Sequence, residues 1–328
     1  MAVKVEDAKG TVETLEAAQA TVLAYEPTFN FNTAQFKRNA FRKTISRMNS
    51  IPGTQLAEVT FRVEFMGPPY ATLGITSVVG TLLQGCGMEE ALSGSTSSTY
   101  TPESDADTMK TLSIGIWEDG VKKLLCGAMG NAKIIGKTGE PVMIEFTFTG
   151  KYSTCEDEAM LSPTYPASVP FIFQNAQVTV FTDTLYIDNF EIDLQNTVIA
   201  KPYFGDSTGI YHSQVTERNP IATFDPEAEL VATHDFIGKL HSTTEAAISI
   251  TLVAADYLQC VLSMPKARYT IVGEGDRDGV RVYNCTAELN MSSGDDELSI
   301  AFTDTTTTTS TSTSTTSTST TSTTSTTS

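Results

Sequence analysis

Positive charge is scarce in this sequence. Lys and Arg number 21 against 39 Asp and Glu, a formal net charge of −18 over 328 residues. Binding duplex nucleic acid requires cations that displace counterions from phosphate, so the balance argues against DNA binding through overall charge. Long apolar runs are missing too: no stretch approaches the roughly 18 residues of a membrane span. The first twenty residues, MAVKVEDAKGTVETLEAAQA, carry acids where a secretory leader has its apolar core. The expectation is a chain made and kept in cytoplasm, with no membrane insertion. Cysteine is sparse: Cys86, Cys126, Cys155, Cys260 and Cys285 are odd in number and form no C-x-x-C pair, which suits reduced thiols better than a disulfide framework. His212, His234 and His241 are too widely spread to make a zinc set. G-x-S-x-G, P-loop and G-x-G-x-x-G patterns are absent, and no carboxylate pair stands in a context that suggests general acid and base roles. No enzyme, no metal and no cofactor is expected.

What the chain has is alternation. LAEVTFRVEF (56–65), TLSIGI (111–116), VMIEFTF (142–148), QVTVF (177–181), ISITL (248–252) and GVRVYNC (279–285) are strand-like runs separated by turn residues, the pattern of antiparallel sheets in a sandwich or barrel. One segment differs. In LGITSVVGTLLQGCGM (73–88), Ile75, Val78, Val79, Leu82 and Leu83 fall at the spacing of one helix face, with glycines as stops. The expectation is a single short helix packed on a sheet, with the SGSTSSTY loop following it. From 305 to 328 every residue is Thr or Ser, with nothing apolar to offset the entropy of ordering, so a disordered tail is expected.

The two halves resemble each other. Leu112-Ser113-Ile114 matches Ile248-Ser249-Ile250, and Lys133-Ile-Ile-Gly136 matches Thr270-Ile-Val-Gly273; both copies then pass through a Gly-rich turn into an alternating strand. Upstream, Phe29-Asn-Phe-Asn-Thr33 resembles Phe190-Glu-Ile-Asp-Leu194, and Val59-Thr-Phe61 resembles Ala222-Thr-Phe224. The wider spacing of the upstream matches gives the first copy about 25 extra residues near 67–110. The organisation expected is mainly β, with two tandem sandwich or barrel domains of similar fold and one flanking helix. An N-terminal arm spans 1–21, copy one 22–152, a Pro-bearing linker 153–182, copy two 183–303 and the tail 304–328. Chance likeness between alternating strands is the alternative.

Two charge features need a reading. Asp276-Arg277-Asp278-Gly279 starts like a calcium loop, but Gly falls at position 4 and Ala287 stands where the bidentate Glu belongs. As turn chemistry, Gly275, Asp278 and Gly279 for one hairpin and Gly294 and Asp295 for the next supply residues that tolerate positive φ. Against the acidic background, FKRNAFRKTISRMNSIPGTQ (36–55) holds Lys37, Arg38, Arg42, Lys43 and Arg47 and no acid. The readings are a solvated loop, a segment that docks on an acidic surface of a neighbouring copy, and, last, a nucleic-acid contact.

Taken together, an F-N-F strand, a basic loop ending in I-P-G, AEVTFRVEFMG, LGITSVVGTLLQGCGM, YTPES, LSIGIWEDGVKKLLCGAMGNAKI and a strand ending FTFTGKY resemble a tail tube protein, or major tail protein, of tailed bacteriophages; the likeness covers roughly 20–303. The resemblance implies a β-sandwich or barrel with a flanking helix, six such folds per ring round a DNA-conducting channel, and a long loop reaching the adjacent ring, which places Lys37, Arg38, Arg42, Lys43 and Arg47 in an inter-ring docking loop. It also implies a virion location with assembly in the host cytoplasm. The implied partners are other copies of the chain, a tape-measure protein, a tail terminator and tail-tip or baseplate proteins, with DNA passing without adhering. Two tube folds in one chain depart from the commonest pattern of one, so three chains would complete a ring; otherwise a hexamer carries the second half outside. The competing reading is a surface-binding adhesion module, a two-domain β-sandwich on a Thr/Ser stalk.

Overall fold

A computed structural model describes residues 1–68, 73–94, 97–165, 168–254 and 258–304. The Thr/Ser tail from 305, and part of both the SGSTSSTY loop and the Pro-bearing linker, lie outside the described residues. The protein is mainly β. The first stretch contains β1 (Ala2–Val5), β2 (Tyr25–Phe36), β3 (Ile51–Glu64), α1 (Val78–Gly85), β4 (Met88–Ser93), β5 (Ser97–Pro102), β6 (Leu112–Glu118), β7 (Val121–Lys137) and β8 (Met143–Asp157). The second contains β9 (Gln177–Val180), β10 (Asp183–Thr184), β11 (Ile187–Asp193), β12 (Asn196–Pro202), β13 (Ile210–Arg218), β14 (Ile221–Pro226), α2 (Phe236–His241), β15 (Ala246–Val253), β16 (Leu258–Arg277), β17 (Val280–Asn290) and β18 (Ser299–Asp304).

Alternation is what makes these strands. In β8, Ile144, Phe146, Phe148 and Gly150 are buried while Glu145, Thr147 and Thr149 between them face outward; β16 does the same with Leu258, Cys260, Leu262 and Met264. Helix α1 starts at Ser77, whose Oγ accepts the Gly80 N–H at 2.8 Å, and buries Val79, Leu82 and Leu83, with Val78 half-buried. Ile75 is not on that face: it precedes the cap and is exposed, because the helix begins only where Ser77 can cap it.

One large antiparallel sheet follows the path β10-β9-β15-β16-β17-β14-β11-β7-β8-β3-β2, with β1 on β6, β6 on β7, and β18 linking β16 to the β4–β5 hairpin. Two sets of strands share an order. The first is β1-β6-β7-β8-β3-β2 and the second β9-β15-β16-β17-β14-β11. They meet where β7 pairs with β11, Gly136 opposite Phe190. Residues from 22–152 and 183–303 share this sheet and one main hydrophobic cluster, in which the Phe65 and Phe302 rings lie 5.6 Å apart.

Several expectations change. Residues of the expected arm form β1, whose Val3 and Val5 lie opposite Ile114 and Leu112, as Val178 and Val180 of β9, in the expected linker, lie opposite Ile250 and Ile248. A second helix, α2, holds the position in the second set that α1 holds in the first; its Asp235 cap accepts the Gly238 N–H at 2.7 Å. The extra residues of the first half therefore correspond to the β4–β5 hairpin, and most of the expected SGSTSSTY loop is strand, held by β18 through Ile300 opposite Tyr100. The two upstream matches disagree by two residues: Phe29 lies opposite Val59, while Ile192, not Phe190, lies opposite Ala222. A shift of two keeps every side chain on its face, so the burial pattern could not reveal it.

Candidate functional site

The middle of the sheet is an eight-strand run, β2-β3-β8-β7-β11-β14-β17-β16, made of two four-strand units joined at β7 and β11. That junction is intimate. A Cβ on Gly136 would sit 2.1 Å from the Phe190 ring, so only glycine admits the aromatic cover. The two ends of the run repeat the ingredients of the junction without the contact. Among the described residues β2 pairs only with β3, and beyond Ala267 the strand β16 pairs only with β17. Gly273, which matches Gly136 in sequence, has no atom outside its chain neighbours within 3.8 Å of a built Cβ, and Ile271 beside it is 59% exposed. On β2, Phe31 is exposed and stacks beside Phe29, their centroids 4.8 Å apart. Open edges of this length ordinarily invite pairing.

The outward face of the run is polar and its charges are in register. One cross-strand row reads Arg62, Glu145, Lys133, Asp193, Ile221, Glu288 and Arg268, from β3 to β16. Arg62 meets Glu145 at 2.8 Å, Lys133 meets Glu191 at 2.9 Å, and Arg268 meets Glu288 at 3.4 Å. The Glu191 carboxylate, by its hydrogen bond, holds the Lys133 ammonium above its ordinary pKa. Every Lys and Arg of these eight strands has a carboxylate oxygen at 3.9 Å or less. Half-exposed pairs of this kind add only about 0–1 kcal/mol each to stability, so their larger effect is to neutralise cations on an acidic surface.

The basic loop behaves oppositely. Lys37, Arg38, Arg42, Lys43 and Arg47 are all exposed and, among the described residues, none has a carboxylate partner; Phe41 and Ile45 project fully exposed between them. Between β11 and β14, at the corresponding place in the second set, the chain forms the β12–β13 hairpin. That hairpin lies on β7, β8 and β3: Val215 packs with Met129, Asp206 binds Lys151 at 2.8 Å, and Gln55 N–H donates to the Thr208 carbonyl at 3.1 Å. The Lys151 ammonium pulls the Asp206 carboxyl down to a pKa of about 2. The sequence reading missed this hairpin, although Thr197-Val-Ile-Ala200 and Tyr211-His-Ser-Gln-Val215 carry a weak alternation.

The acids of 272–302 are occupied by turns and by three arginines, Arg218, Arg268 and Arg281. Asp278 and Gly279 form a two-residue turn, both at positive φ (52° and 88°), and Asp276 Oδ1 accepts the Gly279 N–H. Gly275 belongs instead to β16, opposite Val282, because pairing continues to Arg277 and Val280. Gly294 and Asp295 also have positive φ, and Arg218 holds Asp295 and Glu297 together. Among the described residues no group of three or more His, Cys, Asp or Glu gathers to hold a metal, and no helix is long and apolar enough to cross a membrane. Cys86, Cys126, Cys260 and Cys285 are buried free thiols and Cys155 an exposed one. No protein-family model matches the chain, and no match was found among curated proteins.

Proposed function

We propose that the chain is a self-assembling structural subunit, a tail tube protein of a tailed bacteriophage, whose copies close into rings and stack around a channel that conducts DNA. The observation that carries this reading is the β7–β11 junction. It joins one four-strand unit to the next inside the chain, and the same two kinds of edge, β16 and β2, stand open at the ends. Pairing β2 of one copy with β16 of the next repeats the junction between chains, with Phe29 or Phe31 covering Gly273 as Phe190 covers Gly136. A heterologous contact that repeats by rotation closes into a ring and leaves no edge unpaired. Six four-strand units, the number the resemblance implies, need three chains.

The polar face is the channel wall in this reading. A wall must not hold the phosphate backbone sliding past it, and cations each shadowed by a carboxylate on an acidic chain meet that requirement. The unpaired cations of 37–47 are left for contact between copies. Tape-measure, terminator and tail-tip or baseplate proteins are the further partners this function brings. Negative-stain microscopy of the purified protein over a concentration series is the test: rings and hollow tubes are expected, and particles that stay monomeric at every concentration overturn the reading.

A further inference from the structure

The hairpin β12–β13 shows where a connection leaving the junction strand goes. Strand β11 crosses onto the first set, and the chain that follows it folds down onto that same set, at the start of β3 and beside Lys151 of β8. The corresponding seat on the second set is bare. It is a groove of about 520 Å³ at the start of β14 and the end of β17, lined by Arg218, Pro220, Glu288, Met291, Asp295 and Glu297. Asp295 and Glu297 share Arg218 there, Glu288 pairs with Arg268, and Met291 is 69% exposed. Among the described residues the β12–β13 hairpin touches the groove only at its base, through Arg218, and one segment has complementary chemistry and the right connection to fill it: 37–50, which follows β2 as the hairpin follows β11, and which carries five cations without a carboxylate partner, with Phe41 and Ile45 exposed between them.

We propose that loop 37–50 of one copy docks in the β14–β17 groove of the copy whose β16 edge its β2 completes, within one ring. Phe41 or Ile45 covers Met291, and Arg42 and Lys43 meet the carboxylates of the groove. The inference rests on ring closure through β2 and β16 and refines it: the loop expected to reach the adjacent ring holds its neighbour in the same ring instead. Opposite charge sets the register and the apolar contact supplies the burial.

The test is Phe41→p-benzoylphenylalanine in the full chain, a fully exposed position whose replacement leaves the core untouched. The variant is assembled with isotopically labelled chain, irradiated and mapped by mass spectrometry, with microscopy of the same sample. Rings with intermolecular crosslinks to 217–221 or 288–297 are expected, and Arg42→Glu with Lys43→Glu should lower their yield roughly tenfold. Rings with crosslinks to any other surface overturn the docking alone. Absence of rings overturns ring closure, and the docking with it.

Discussion

His234 is buried with its Nδ1 2.7 Å from an Asp183 carboxylate oxygen and its Nε2 3.1 Å from the Tyr269 hydroxyl, so one imidazole ties β10 to β16. Burial holds it, and His212 on β13, below the ordinary pKa of 6.5. Each therefore takes up a proton less readily when folded than when unfolded. The stability they allow is complete above about pH 6.5 and declines as pH falls below it, by at most about 1.4 kcal/mol per pH unit for each. Thermal unfolding below the assembling concentration should therefore show a lower Tm at pH 5.5 than at 7.5, with His234→Gln flattening the difference; equal values would refute it. Glu6 is the other buried anchor. Its carboxylate accepts from Thr111 at 2.6 Å, Ser113 at 2.9 Å, and the Gly10 and Gly127 amides at 2.7 and 2.6 Å. Glu6→Leu strands those donors, each worth about 1–3 kcal/mol when buried without a partner, and denaturant unfolding should register a loss of about 3 kcal/mol or more.

Strands β2 and β16 carry the assembly argument, and each predicts a change that a fold-only account does not. On assembly, amides of 26–33 and 270–276 should gain hydrogen-exchange protection while the β3–β8 pairing stays as slow as before; unchanged exchange at both edges would remove β2 and β16 from the interface. Phe146→Ala, in the core beside Phe61 at 5.8 Å and Phe148 at 5.7 Å, should instead cost about 3–5 kcal/mol of stability in urea unfolding, read at low concentration. The strands with alternation, β3, β6, β8, β9, β15 and β17, were legible in the sequence, as were the Lys133-Ile-Ile-Gly136 and Thr270-Ile-Val-Gly273 likeness and the Asp278-Gly279 turn. Elements without a period to read were not. β1 is four residues, α2 is less than two turns, and β5 is Ser- and Thr-rich, with Tyr100 its one large buried side chain. The groove at Met291 and the row from Arg62 to Arg268 arise from pairing between strands distant in sequence, which no single-strand pattern encodes.

At the scale of the molecule, two like-ordered sets of strands share one sheet and one core, and charge is sorted across them. Cations on the eight strands are each matched by a carboxylate, while those of 37–47 stand alone. Sorting of this kind suits the proposed function, in which one surface must not hold a polyanion and one segment must find an acidic neighbour. In the proposed ring the two demands are met together. Cryo-electron microscopy of the assembled protein, at a resolution that traces strands, tests that claim most directly: it should show three chains closing a ring in which β2 of each pairs with β16 of the next, antiparallel like β7 with β11. A ring with β2 unpaired, or one in which the β16 edge beyond Ala267 faces solvent, would contradict it.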